Sequence, residues 1–409
     1  MSATAISDRV AVVGVGETDY RADYQRSRRA ELGAPVGEPD RASSAEDLDE
    51  APSGFAAEAF TRALADAGLE KGDIDGLAVC AGRAEEMGFE RTAEILGLTV
   101  RWGAETGLPD HIVQVCVDGL AAGRCSTVAI VYGNGSRGRG AKAYGGVSEP
   151  RSGYMNQWYY HVWGFSSPGA QYAFTYQEYL DRLGCGEEEL GAVAVAFRKN
   201  ARLNPNAVMQ DPMTIEQYLA ARYTFRPLRL YDCCMVNDGG ACLILQRADI
   251  ATSTNHRPVL VGGVGRYSPY ARHTQMGFRR HDAAIGCVEE ASAECLGMAG
   301  VTPDDIDLVQ CYDGFSVQLP MFLEGLGVCE PWEGLSFIQQ GRIERDGVLP
   351  CNTGGGLLSE SYMHGMNLHI EAVRQLRHEA GERQIAGAET AAYCHHGHWG
   401  AISMLYRRG

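Results

Sequence analysis

The sequence predicts an α/β protein built of two repeated halves in a layered α/β/α/β/α arrangement, and three observations predict it. Residues 58–80, EAFTRALADAGLEKGDIDGLAVC, align without a gap on residues 290–312, EASAECLGMAGVTPDDIDLVQCY; Glu58, Ala59, Leu64, Ala67, Gly68, Asp73, Ile74 and Asp75 match Glu290, Ala291, Leu296, Ala299, Gly300, Asp305, Ile306 and Asp307. A shorter match precedes each copy, VVGVG at 12–16 and VGGVG at 261–265. Within each copy the apolar spacing is that of a helix ending at Ala-Gly, then a turn, then an apolar strand. The glycine after each helix supplies a left-handed cap.

Taken in chain order, each half opens strand, loop, helix, turn, strand, which predicts a mostly parallel sheet with helices packed on it. The first half continues with a helical stretch from Gly107 through Gly123 and the strand STVAIVYG at 126–133. The second has a comparable helix at 366–381, MNLHIEAVRQLRHEAG, and the strand ETAAYC at 389–394. This divides the chain into an N-terminal half, 1–250, and a C-terminal half, 251–409. Two segments break the symmetry. Residues 21–50 are polar, with little apolar periodicity, and read as a mobile surface loop. Residues 134–225 form a long excursion that is first rich in Gly and Arg and then aromatic (Tyr154, Trp158, Tyr159, Tyr160, Trp163, Phe165), followed by a helical stretch at 168–203. Such an excursion covers an active site or forms a subunit contact, and the aromatic run walls a bulky apolar pocket or an interface.

Composition narrows the function classes. The 409 residues carry a formal net charge of -16, which repels nucleic acid and anionic membranes. No apolar run approaches the roughly 18 residues that span a bilayer. The N-terminus reads as a first strand, not as a signal peptide. The 13 cysteines are odd in number and include no C-x-x-C pair. Free thiols in this number suit a reducing cytoplasm, and no metal site is expected.

The residues that carry chemistry gather in the second half. Cys311-Tyr312-Asp313-Gly314-Phe315-Ser316 follows the repeat strand directly, and a Gly-rich run begins at Leu349 and passes through Asn352, Gly355 and Gly356 to Tyr362 and His364. Ligands bind at the C-terminal ends of parallel strands, and a Gly-rich turn can bring backbone N–H groups to an oxyanion. Asp313 caps a turn or faces substrate; Asn352 orients a group or finishes a turn. Cys394, in CHHGHWG at 394–400, lines the site, acts as a nucleophile or belongs to a metal cluster with His395, His396 and His398.

These motifs resemble the thiolase superfamily. The matching stretches are YDGF at 312–315, EGLGVC at 324–329, NTGGGLLSESYMHGMN at 352–367, EAVRQLR at 371–377, SSPGAQYAF at 166–174, RKNA at 198–201, NPNA at 204–207, RPLRLYDCC at 226–234 and NDGGA at 237–241. They are most similar to the lipid-transfer-protein or sterol-carrier-protein-X branch. The pairing of Tyr312 with Tyr362 resembles the steroid side-chain aldolases within it. Thiolases place a nucleophilic Cys at the turn into the third helix; here that turn, Gly103 to Asp110, has none, and Cys116 lies about two turns into the expected helix.

The resemblance implies a retro-aldolase that cleaves a bulky β-hydroxyacyl-CoA, of sterol or bile-acid side-chain type, to a ketone and propionyl-CoA or acetyl-CoA. It implies Tyr312 and Tyr362 as the acid–base pair, His364 in the active site, and Asn352, Gly355, Gly356, Asp313 and Cys394 against the substrate. Coenzyme A enters as part of the substrate, with no further cofactor. The implied assembly is a homodimer joined by a small OB-fold, zinc-ribbon protein. The rivals are a thiolase or acyltransferase with a displaced cysteine and a non-catalytic lipid-binding subunit.

Overall fold

The computed structural model describes residues 6–31, 45–80, 87–106, 109–138, 167–251, 255–268, 281–397 and 400–409. Strand β1 (Val10–Glu17) opens the first half, followed by α1 (Tyr20–Glu31), α2 (Ala45–Ala67), β2 (Gly76–Cys80), α3 (Phe89–Leu96), β3 (Trp102–Thr106), α4 (Pro109–Ala121) and β4 (Thr127–Asn134). Then come α5 (Pro168–Leu183), α6 (Glu188–Ala201), α7 (Ile215–Ala220), the ribbon β5 (Tyr223–Phe225) and β6 (Leu228–Arg229), and β7 (Gly239–Arg247). The second half holds β8 (Val259–Tyr267), α8 (His281–Ala299), β9 (Leu308–Cys311), α9 (Gln318–Gly325), α10 (Gly334–Gln339), α11 (Gly356–Ser359), α12 (Met366–Arg377), β10 (Thr390–Gly397) and β11 (Gly400–Arg408).

The glycines of the two repeated strands explain why the repeat exists. A Cβ on Gly14 or Gly16 would stand 2.5 Å from the Ala63 carbonyl oxygen or 2.1 Å from that of Ala59, and one on Gly263 or Gly265 would stand 2.2 Å from that of Cys295 or 1.9 Å from that of Ala291. In both halves the long helix therefore lies directly on its opening strand, and only glycine admits that approach.

Among the described residues the main sheet has nine strands in the order β3-β2-β4-β7-β1-β8-β11-β10-β9. The halves mirror each other about β1 and β8, which meet at Ala11↔Leu260 and Val12↔Val259. An isolated parallel bridge between Val309 and Cys351 takes the place in the second half that β3 takes in the first. The sheet is mixed, which corrects the mostly parallel expectation: β2–β3, β2–β4 and β9–β10 are parallel, while β1, β7, β8 and β11 run against their neighbours. The reason is that β7 and β11 return through the middle of each half, a placement that the strand order in sequence does not reveal.

Three cores stack into five layers. Ile112, Cys116 and Leu120 of α4 and Met366, Ile370 and Val373 of α12 share one core with Val12, Ile130 and Leu243 of the first half-sheet and with Val261, Leu308 and Tyr393 of the second. The helix α2 covers the outer face of the first half-sheet through Ala59, Phe60 and Ala63 on Val13, Leu77 and Ile244. Helices α8 and α9 cover the outer face of the second through Ala291, Cys295 and Phe322, beside Val309, Cys311 and Cys394. The layered α/β/α/β/α arrangement follows, with α4 and α12 as its central layer.

Three local expectations are revised, and a fourth falls outside the described residues. Within the expected loop at 21–50, residues 21–31 and 45–50 are helical, and the intervening part lies outside the described residues. The helical stretch at 168–203 is two helices, parted at Gly184 in the left-handed conformation (φ 64°). Gly103 to Thr106 belong to strand β3, not to a turn. The aromatic run at 154–165 lies outside the described residues.

Candidate active site

Strand alternation aims Tyr312 into the central layer. Cys311 faces the outer core and its neighbour Tyr312 the central one. The Tyr312 N–H donates to the Cys394 carbonyl at 2.8 Å, which extends the β9–β10 ladder by one residue. On the other edge, the Asn352 side chain imitates a neighbouring strand. Its Oδ1 accepts the Cys311 N–H at 2.7 Å, and its Nδ2 donates to the Cys311 carbonyl at 2.9 Å.

The Gly-rich run folds behind this strand end. The Asp313 carboxylate accepts the N–H groups of Leu357 at 2.8 Å and Leu358 at 3.1 Å, at the start of α11. Burial pushes its carboxyl up to about 7, although those N–H bonds favour the charged form. Gly355 and Gly356 have φ of 108° and 64°. A Cβ on Gly356 would lie 2.3 Å from Asp313 Oδ2 and 2.6 Å from Asn352 Nδ2, so glycine is required there. Asn352, Asp313, Gly355 and Gly356 are the residues expected against the substrate. All four are buried, and the polar side-chain atoms of Asn352 and Asp313 are spent on the protein's own backbone, framing the site from behind.

Beyond α11 the chain brings Tyr362 back to Tyr312. Their hydroxyls are 2.9 Å apart, with the rings edge to face at 6.4 Å. The His364 ring stacks on Tyr362 at 5.5 Å and stands 6.1 Å from Tyr312. The structure thus unites Tyr312, Tyr362 and His364. It adds three residues to which the sequence reading gave no role beside the tyrosines. His395 of β10 sets its ring edge to face with Tyr312 at 4.2 Å. Tyr132, near the end of β4, stands 6.1 Å from His364. Asn237 accepts the Tyr362 N–H on its Oδ1 at 2.9 Å. The alternation along Tyr393, Cys394 and His395 was the available signal for His395: neighbours of an inward Tyr393 point outward, and the next residue returns inward.

That alternation also places Cys394. Its side chain is fully buried in the outer core, its Sγ is 3.8 Å from Ser403 Oγ, and burial pushes the thiol up to about 12. It does not share the face of Tyr312. Cys116 is fully buried within α4, and its thiol is held well above the ordinary range. Cys234 packs against the central core with its N–H donating to the Gly314 carbonyl at 3.0 Å, and burial raises its thiol too. A thiol so raised is a poor nucleophile.

Chemically, two phenols in direct contact form a proton-sharing pair. One accepts while the other donates, and a phenolate at either position gains a hydrogen bond from its partner. Tyr312 is buried whereas Tyr362 and His364 are half-buried, so the cluster opens on the side of Tyr362 and His364.

Comparison with known proteins places this geometry in context. The Thiolase C-terminal domain-like family model matches residues 270–405. A steroid side-chain-cleaving aldolase from Thermomonospora curvata is 33% identical over 338 residues, covering 79% of this chain and 85% of that protein. A 17-hydroxy-3-oxo-4-pregnene-20-carboxyl-CoA lyase from Mycobacterium tuberculosis is 32% identical over 402 residues, covering 94% and 95%. An acetyl-CoA acetyltransferase from Methanothermobacter thermautotrophicus is 32% identical over 342 residues, covering 81% and 88%. The solved structure of an Ltp2-ChsH2(DUF35) aldolase matches with a TM-score of 0.83 at 27% identity, covering 98% of either chain. No helix among the described residues is long and apolar enough to cross a membrane.

Proposed function

The chain belongs to the thiolase superfamily, in its sterol-carrier-protein-X-like branch among the steroid side-chain-cleaving aldolases, and is a carbon–carbon lyase; from that premise we propose that it performs retro-aldol cleavage of a bulky β-hydroxyacyl-CoA with Tyr312 and Tyr362 as its acid–base pair. The observation that carries the reading is the 2.9 Å contact between the two hydroxyls. One phenolate takes the proton of the β-hydroxyl. The carbonyl forms as the bond between Cα and Cβ breaks, and the electron pair passes to the thioester enolate. The other phenol protonates Cα. A proton transfer between the two hydroxyls then restores the starting state, so the net movement is one proton from substrate oxygen to substrate carbon. No water, redox partner or covalent intermediate is consumed, in keeping with the buried, raised thiols of Cys116 and Cys394.

The substrate class we favour is a sterol or bile-acid side-chain CoA thioester, released as a ketone and propionyl-CoA or acetyl-CoA. Coenzyme A is then part of the substrate, and the reaction calls for no metal from this chain. The assembly we favour is a cytoplasmic homodimer with a small OB-fold, zinc-ribbon partner; the solved Ltp2-ChsH2(DUF35) aldolase supports the protein partner. The acetyltransferase relative favours a second reading, acyl transfer through a displaced cysteine. A panel of β-hydroxyacyl-CoAs, analysed by mass spectrometry, separates the two. Tyr312→Phe and Tyr362→Phe are each expected to lower turnover by about 10²–10⁴-fold with the fold intact. Near-normal rates in both variants would sink the tyrosine mechanism.

A further inference from the structure

We propose that Asn237, contributed by the first half, is the positioning residue that holds Tyr362 against Tyr312; this rests on the tyrosine-pair reading above. The two tyrosines are held differently. Tyr312 continues a strand, bonded to β10 on one side and flanked by the Asn352 side chain on the other. Tyr362 lies between α11 and α12, where the chain reverses through positive φ at His364 (53°) and Gly365 (93°). A loop of that kind has no ladder to fix it, yet its phenol must stay within hydrogen-bond reach of a partner.

The carboxamide of Asn237 supplies the fixing contacts. It is fully buried. Its Oδ1 accepts the Tyr362 N–H at 2.9 Å, and its Nδ2 donates to Ser361 Oγ at 2.6 Å. One planar group therefore clamps two successive loop residues from across the boundary between the halves. The clamp stands on a fixed base. The Asn237 carbonyl accepts from Asn134 Nδ2 at 3.0 Å. The next residue, Asp238, accepts the N–H groups of Arg137 at 2.8 Å and Gly138 at 2.9 Å, together with the Ser27 hydroxyl. Removing the carboxamide takes a hydrogen-bond partner from the Tyr362 N–H and from the Ser361 hydroxyl, and so frees the loop to move. A displacement of about 1 Å at a reacting group costs about 100-fold in rate.

The test uses Asn237→Ala, Asn237→Asp and, as a control, Gln246→Ala. Gln246 is a buried amide on β7, the strand that follows Asn237, and its Nε2 donates to Thr127 Oγ1 at 3.0 Å away from the tyrosines. The probe is 17-hydroxy-3-oxo-4-pregnene-20-carboxyl-CoA, with kcat and KM read separately, and a crystal structure of Asn237→Ala reads the geometry without any substrate. Asn237→Ala is expected to lower kcat about 100-fold with KM within about threefold, and to part the two tyrosine hydroxyls beyond about 3.5 Å. Asn237→Asp can accept from both Tyr362 N–H and the Ser361 hydroxyl, and should recover at least about tenfold of the lost kcat. Gln246→Ala should keep kcat within about twofold. An unchanged hydroxyl separation in Asn237→Ala, a kcat within about threefold of wild type, or an equal loss in Gln246→Ala overturns the proposal. Tyr312→Phe and Tyr362→Phe in the same panel keep the two readings apart. If both retain activity, the tyrosine mechanism fails; if both lose it while Asn237→Ala does not, only the positioning role fails.

Discussion

Replacing Asp313 by asparagine tests the electrostatics of the frame behind the tyrosines. Asp313 has no solvent exposure, and its carboxylate accepts two backbone N–H groups, from Leu357 and Leu358. Two effects oppose each other there. The N–H bonds favour the charged form, and burial disfavours it. Burial is the larger, so the carboxyl is raised from 3.8 to about 7. Between those values the folded protein keeps a proton that the unfolded chain has lost. Stability therefore falls as pH rises through that window and levels off above it. Each pH unit inside the window costs about 1.4 kcal/mol, which comes to about 2 kcal/mol between about pH 5.5 and 7. The amide of Asp313→Asn is uncharged throughout and lacks that slope. It offers one acceptor oxygen to two N–H donors, a loss of about 1–3 kcal/mol that does not depend on pH. Urea unfolding of both proteins across that interval gives the stability of the variant minus that of wild type. The difference should rise by about 2 kcal/mol from about pH 5.5 to 7 and change little above about pH 8. A difference that stays flat or falls would refute the reasoning, because it would mean that the two N–H bonds outweigh burial and that Asp313 is ionised throughout.

Two further outcomes are expected. Cys394→Ala should keep turnover within about twofold while lowering stability by about 1–2 kcal/mol, since the thiol fills the outer core; iodoacetamide should leave Cys394 unlabelled in the native enzyme, and rapid labelling with loss of activity would revive the displaced-cysteine reading. His395→Phe keeps an aromatic edge on Tyr312 but removes both ring nitrogens, and should lower turnover about 10–100-fold with little change in melting temperature; an unchanged rate would reduce His395 to packing.

Much of the architecture was legible because helix and strand periodicities survive in both copies of the repeat. The matched strands 12–16 and 261–265 and the matched helices ending at Ala67 and Ala299 all fall where the periodicity puts them. Strand direction was not legible. β7 and β11 enter the middle of each half-sheet from sequence positions that carry no mark of their orientation. Of the candidate site residues, Tyr312, Tyr362 and His364 were singled out through motif resemblance, whereas Asn237 was quoted within NDGGA without a role. Its function depends on a contact with Tyr362 across 125 positions of chain, which no local pattern encodes.

The sequence by itself determined the repeated α/β plan, because that depends on residue type at local spacing, while the aldolase branch and the pairing of Tyr312 with Tyr362 came from the resemblance. The glycines at 14, 16, 263 and 265 show the reason: close packing of helix on strand admits no other residue. Only the tertiary structure decided which side of β10 faces the tyrosines. It turned Cys394 into the outer core and His395 onto Tyr312, though the two are neighbours in sequence. It also fixed the Gly-rich run behind Tyr312, since buried N–H groups must be satisfied and Asp313 stands within reach of two of them.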